Sequence, residues 1–137
     1  MTHSPPIYLL QPDLDRLTDL LEAYAVGAGG RRFEQLEGEL ARAKVVPPDR
    51  FPQDVVTMNS RVLFEDEKTG ERREVTLVYP KDADIDAGRI SVLVPVGSAL
   101  LGLRVGQSID WTLPGGEKRR YRVIAVPHQP QMTERKG

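Results

Sequence analysis

The sequence predicts an α+β fold in which a short antiparallel helical hairpin precedes a compact β-rich domain. Apolar residues recur at helical spacing in the first third of the chain, and from Asp54 onward the apolar period changes to two. A proline-rich segment at 46–52 separates the two patterns. The 137 residues, 39% of them hydrophobic, suffice for one sizeable core and a small appendage.

The first helix is predicted from its start signal and its apolar face. Pro12 fixes the backbone φ for a first turn, while Asp13 and Asp15 complement the positive end of the helix dipole. Apolar residues at helical spacing then form one face over about three turns. They are Leu14, Leu17, Leu20, Leu21 and Tyr24.

A second helical pattern follows the glycine-rich stretch at 26–30, with Phe33, Leu36 and Leu40 on its apolar side. Two short amphipathic helices joined by a glycine turn are expected to pack as an antiparallel hairpin. The prolines of 46–52 end the second helix, because proline cannot continue it. We therefore predict an N-terminal hairpin over residues 1–48 and a β-rich domain over 53–127.

Two β-hairpins are predicted in the second part of the chain. The first surrounds the turn at 68–71, and the second surrounds Pro114-Gly115-Gly116, with strands at 109–113 and 118–126. Alternating apolar residues flank the first turn: Val62, Phe64, Val75, Leu77 and Tyr79.

The stretch between the hairpins predicts one strand and one short helix. Residues 90–94 are nearly all apolar and favour a buried strand. Residues 98–102 are typical of a short helix that Gly102 closes. Trp111, the only tryptophan, is expected in the core.

Charge and composition exclude several classes of function. Nineteen basic and twenty acidic residues leave a net charge of -1, which gives no bulk attraction to nucleic acid or to an acidic membrane. The absence of cysteine excludes disulfides, thiolate metal sites and a thiol nucleophile, and agrees with a reducing compartment. With no signal-like or membrane-spanning segment, we expect a cytoplasmic protein without a membrane partner.

No catalytic or metal-binding constellation is visible in the sequence. The only histidines, His3 and His128, lie in the terminal segments, where nothing would position them for chemistry. The segment after Pro127 has no apolar period, and residues 128–137 are predicted to be a disordered tail. We therefore expect no enzyme activity, no cofactor and no metal.

A basic stripe is predicted on the last hairpin, where Lys118, Arg120 and Arg122 share one face and Arg119 lies on the other. Arg72 and Arg73 are candidates to lie beside it. The stripe could bind an acidic protein surface or RNA. Such a pattern more commonly indicates a solvent-exposed edge strand, on which basic residues prevent pairing with another chain.

Four segments in the same order resemble a known family. Residues 54–62, 77–80, 94–106 and 113–116 resemble Rnk, the regulators of nucleoside diphosphate kinase, a family similar to the bacterial Gre transcript-cleavage factors. The resemblance covers roughly residues 10–126. It implies an FKBP-like C-terminal domain preceded by an antiparallel coiled coil.

The resemblance also implies RNA polymerase as the partner. In Gre factors the C-terminal domain docks at the rim of the polymerase secondary channel, and acidic residues at the coiled-coil tip hold a catalytic magnesium inside it. By this resemblance the polymerase-docking residues are Leu93, Val94, Pro95, Val96, Gly97, Ser98 and Ala99, with residues 94–99 expected in an exposed loop.

The hairpin tip departs from the Gre pattern. It has no carboxylate to bind a hard cation, and its residues include Gly27, Gly29, Gly30, Arg31 and Arg32. Helices of about 12 residues would also reach only ~18 Å. We therefore predict a monomeric regulator that competes with Gre-type factors for polymerase without stimulating transcript cleavage. The alternatives are an FKBP-like peptidyl-prolyl isomerase, or an adaptor for another partner, including nucleoside diphosphate kinase.

Overall fold

A computed structural model of the chain describes residues 7–25, 33–113 and 115–129. Within these residues the fold is mixed α+β, with helices near the N-terminus and a curled β-sheet after them, as the sequence predicts. The predicted hairpin tip lies outside the described residues. No helix in the described part of the chain is long and apolar enough to cross a membrane.

The two amphipathic helices form where the periodicity predicts them. Helix α1 spans Gln11–Ala25, and its Leu17 and Leu21 are buried. Helix α2 spans Glu34–Ala41, flanked and lined by buried apolar residues at Phe33, Leu36 and Leu40. The apolar faces therefore identify the buried sides of both helices, which pack against each other.

A small parallel sheet links the two ends of the helical segment and has no counterpart in the sequence prediction. Strand β1, Tyr8–Leu9, pairs with β2, Lys44–Val45. The Lys44 amide donates to the Ile7 carbonyl at 2.8 Å, and the Val46 amide donates to the Leu9 carbonyl at 3.0 Å. Helix α2 thus ends well before the prolines, because the chain has already become extended at Lys44.

The main sheet has five strands: β3 Arg61–Asp66, β4 Glu71–Val78, β5 Arg89–Ser91, β6 Ser108–Thr112 and β7 Lys118–His128. Their order in the sheet is β5-β4-β3-β7-β6. Strands β3 and β4 form the first predicted hairpin, and β6 and β7 form the second. Neighbouring strands are antiparallel, except that β5 runs parallel to β4.

Two elements differ from the prediction between the hairpins. Strand β5 ends at Ser91, so the strand expected through Val94 is wrong beyond that residue. Helix α3 spans Pro95–Leu100 and begins three residues before the predicted short helix. The physical reason is Pro95, which occupies the first helical turn, where a missing amide hydrogen costs nothing.

One hydrophobic core joins the helices to the sheet. Leu17 and Leu36 belong to the same buried cluster as Leu77, Val123 and Trp111, which is 5% exposed. Residues 128 and 129 also belong to the fold. Strand β7 includes His128, and the buried Gln129 side chain donates to the carbonyls of residues 52 and 55, both at 2.8 Å. The tail predicted from residue 128 therefore cannot include residues 128 and 129.

Candidate functional site

Residues 93–96, called the docking segment below, comprise the end of the connection between β5 and α3 and the first two residues of α3. The turn before them is held by hydrogen bonds from the Val92 amide to the Val78 carbonyl at 2.9 Å and from the Val94 amide to the Ser91 carbonyl at 3.2 Å. The Leu93 amide donates to the Ser91 hydroxyl at 3.0 Å. These bonds give the segment a defined backbone path at the end of the sheet.

Only the first four of the seven predicted docking residues are accessible. Val94 is 40% exposed, and Leu93, Pro95 and Val96 are half-buried. The expectation that the exposed loop continues through Gly97, Ser98 and Ala99 is wrong, because α3 has begun and turns these residues into the core. A partner can therefore contact residues 93–96 but not the side chains that follow.

Gly97 and Ser98 hold the docking segment in place instead. A Cβ atom on Gly97 would lie 2.3 Å from the Ser91 carbonyl oxygen, so this close approach of helix and strand requires glycine. The Ser98 hydroxyl donates to the Val92 carbonyl at 2.6 Å. Both residues fix the turn from which Val94 projects.

A groove of about 320 Å³ lies beside the docking segment. Val94, Pro95 and Val96 line it together with the buried residues Phe64 and Tyr121. The two rings meet edge to face, with centroids 5.8 Å apart. The other lining residues are Leu113 and four charged ones: Asp66, Glu71, Arg73 and Arg119.

Two of the four charged side chains around the groove, Arg119 and Asp66, pair with each other. The Arg119 guanidinium lies 3.4 Å from an Asp66 oxygen and 3.2 Å from a Glu117 oxygen. Burial raises the pKa of Tyr121, and the negative charge of Asp66 raises it further. An apolar segment next to a polar, charge-balanced rim is the usual composition of a protein-protein contact site.

The predicted basic stripe is present but interrupted by carboxylates. Lys118, Arg120 and Arg122 are exposed, and Arg119 is half-buried on the opposite face, as expected. The Arg120 guanidinium lies 2.9 Å from Asp110 and 3.4 Å from a Glu67 oxygen. The hydrogen bond to Asp110 raises the pKa of Arg120.

The neighbouring strands continue this alternation of charge. Glu65 is the cross-strand partner of both Arg122 and Arg72, and its carboxylate lies 2.9 Å from the Arg72 guanidinium. Arg73, which was expected beside the stripe, faces the groove on the other side of the sheet. A face with mixed signs of this kind gives a phosphate backbone little net attraction.

A second polar cluster, formed by Asp13, Arg16 and Tyr79, escaped the sequence prediction. The Arg16 guanidinium lies over the Tyr79 ring, 4.3 Å from its centroid. Burial raises the pKa of Asp13, an effect that Arg16 opposes. Burial and the Asp13 charge raise the pKa of Tyr79 to about 12. The cluster ties the start of α1 to the end of β4.

Metal ligands do not converge in the described part of the chain. No group of three or more histidine, aspartate or glutamate side chains there could hold a metal ion.

Comparison with known proteins divides the chain into two matched segments. Residues 51–128 match the family model "Transcription elongation factor, GreA/GreB, C-term". Residues 5–46 match "Rnk N-terminus". The junction falls within the proline-rich segment.

Individual relatives match most of the chain. The "Regulator of nucleoside diphosphate kinase" of Escherichia coli (strain K12) is 46% identical over 127 residues, which are 93% of each chain. The "Transcription elongation factor GreA" of Mesorhizobium japonicum is 35% identical over 105 residues, 77% of this chain and 65% of that one. A solved "Prokaryotic transcription elongation factor GreA/GreB from Nitrosomonas europaea" superposes with a TM-score of 0.69 at 47% identity, covering 91% of this chain and all of that one.

Proposed function

Because the chain belongs to the Rnk family, the regulators of nucleoside diphosphate kinase, and carries a GreA/GreB C-terminal domain, we propose that it binds bacterial RNA polymerase and regulates transcription. It competes there with Gre-type secondary-channel factors and does not stimulate transcript cleavage. The observation that carries this proposal is the accessible apolar docking segment at residues 93–96 on a domain of that family. We also propose that the sheet domain is FKBP-like and that α1 and α2 form a short coiled coil.

The docking segment has the properties of a contact site for a protein. Val94 is exposed at a position where the backbone is fixed on both sides, so binding it orders little additional chain. The groove next to it has two acidic and two basic side chains in its lining. A partner that covers Val94 would remove apolar area from water.

The absence of cleavage stimulation follows from the length and composition of the hairpin. Helix α1 has 15 residues, which at 1.5 Å per residue is roughly 22 Å. The connection between the helices, residues 26–32, contains no aspartate or glutamate. A hairpin of this reach, without carboxylates at its end, has no ligands to bring a hard cation to the polymerase centre.

The groove favours docking over the isomerase alternative. A prolyl isomerase needs an open apolar pocket for the proline ring, whereas Phe64 and Tyr121 are buried and four charged side chains share the groove. The adaptor alternative predicts a different partner, and the experiment below separates it from ours.

The test compares two variants in which an exposed β-branched apolar residue is changed to glutamate. Val94→Glu places a charge in the docking segment, and Ile85→Glu does so at an 81% exposed isoleucine outside the groove. We expect Val94→Glu to weaken binding to core RNA polymerase roughly tenfold or more, because a buried apolar contact is lost and a charge is desolvated. Ile85→Glu should bind like the unchanged chain.

The functional readout uses stalled polymerase complexes. The unchanged chain should inhibit transcript cleavage by a Gre factor and produce no cleavage alone. Absence of binding to core polymerase, or binding without competition, contradicts the proposal. Retention of another partner in place of polymerase would favour the adaptor alternative.

A further inference from the structure

Helix α2 is attached to the edge of the main sheet by a glutamine side chain. The Gln35 Nε2 donates to the Thr112 carbonyl at 2.6 Å, and the Thr112 amide donates to Gln35 Oε1 at 3.0 Å. Thr112 is the last residue of β6, which is an edge strand. The side-chain amide therefore makes the pair of hydrogen bonds that another strand would make with this residue.

These bonds add direction to a contact that apolar packing alone would leave loosely defined. Leu36 and Leu40 bury the apolar face of α2 in the shared core, and burial of apolar area is not directional. Hydrogen bonds between two amides depend on both distance and angle. Gln35 thus fixes where along β6 the helix sits.

We propose that Gln35 is a positioning residue that sets the direction of the helical hairpin relative to the docking segment. The effect of this orientation on polymerase binding rests on the proposed function, whereas the orientation itself does not. The link between the two regions is short, because α3 includes the last two residues of the docking segment and contacts both β6 and α2. A polymerase bound at residues 93–96 then meets the hairpin in one defined orientation.

The geometry is tested on the free, full-length protein by distances between two spin labels. The chain has no cysteine, so Ala23→Cys on α1 and Glu74→Cys on β4, both exposed positions, label the hairpin and the sheet specifically. Gln35→Met keeps the length of the side chain and removes both hydrogen bonds. We expect it to widen the distance distribution and to raise the population of a second orientation roughly tenfold.

Two further variants make the result specific. Gln11→Met removes an amide that donates to Asp15 of its own helix at 2.8 Å, and it should leave the distribution unchanged. Thr112→Pro removes the backbone amide hydrogen from the other partner of the contact, on an edge strand where proline is tolerated, and should widen the distribution as Gln35→Met does. Circular dichroism should show equal helix content in all variants.

An unchanged distance distribution in Gln35→Met and Thr112→Pro would overturn the inference. A polymerase experiment then tests its consequence: Gln35→Met should bind core polymerase more weakly than the unchanged chain and, for that reason, compete less well with a Gre factor. If the unchanged chain does not bind polymerase, the proposed function fails while the distance measurement still decides the role of Gln35.

Discussion

Tyr79 shows how strongly a single residue can depend on contacts that are distant in sequence. Its side chain lies beside Asp13 and under the Arg16 guanidinium, where burial and the Asp13 charge both disfavour the phenolate. The alternation in β4 predicts a buried Tyr79, but it contains no information on the helix residues that meet it. Its pKa of about 12 is therefore a property of the tertiary structure.

The ionisation of Tyr79 makes the fold sensitive to alkaline pH. Because its pKa is raised from 10.0 to about 12 in the folded chain, the stability linked to it is fully present below pH 10 and is lost as the pH rises towards 12. We expect ultraviolet titration of the folded protein to show a tyrosine with a pKa of about 12 that is absent in Tyr79→Phe.

Asp13→Asn supplies the control for the cause of this shift. Removing the carboxylate charge should lower the pKa of Tyr79 while leaving the ring buried. Circular dichroism at each pH shows whether the chain is still folded. A titration curve that is the same in the original chain, Tyr79→Phe and Asp13→Asn would contradict the assignment.

Other side-chain contacts between residues distant in the chain could not be predicted from the sequence either. Gln35 and Thr112 are 77 positions apart, and so are Gln129 and Pro52. Nothing in the local pattern distinguishes these glutamines from solvated ones. Trp111, by contrast, could be placed in the core, because an apolar side chain in an alternating strand needs no particular partner.

At the scale of elements, local patterns predict those structures whose parts are close in sequence. Both antiparallel hairpins and both amphipathic helices could be predicted, because turn residues and apolar periodicity lie within a few positions of each other. The parallel pairs β1–β2 and β4–β5 could not. They join short strands across intervening chain and leave no alternation to detect.

The start of α3 is the element on which the docking site depends. Gly97 lies against the Ser91 carbonyl, so Gly97→Ala should force the helix away from β5 and lower the free energy of unfolding by about 1–3 kcal/mol. The displacement should also weaken polymerase binding, since Val94 projects from the same turn. Chemical denaturation and a binding titration measure the two effects.

Gly38→Ala is the matched control within a helix. A Cβ atom at Gly38 meets nothing within 4 Å, so alanine should raise the free energy of unfolding by about 0.5–1 kcal/mol through helix propensity and reduced entropy of the unfolded chain. Polymerase binding should be unchanged. Stabilisation by Gly97→Ala would show that α3 does not need the close approach.

At the scale of the whole molecule, the shared core makes the helices and the sheet interdependent. The sequence divides at the proline-rich segment, and the family matches divide there too. Yet Leu17 and Leu21 of α1 lie in one buried cluster with Val62 and Trp111 of the sheet. Neither part buries its apolar face alone, and therefore the chain should unfold in a single transition.

Two probes of the same denaturation test this cooperativity. Circular dichroism at 222 nm follows mainly the helices, and the fluorescence of Trp111, the only tryptophan, follows the sheet. Leu17→Ala removes a fully buried side chain from α1 and should lower the free energy of unfolding by about 2–5 kcal/mol. Because the core is shared, both probes should move to the same lower midpoint. If the helix signal shifts while the tryptophan transition stays in place, the hairpin unfolds independently of the sheet. The sheet would then not hold the hairpin in one orientation relative to a bound polymerase.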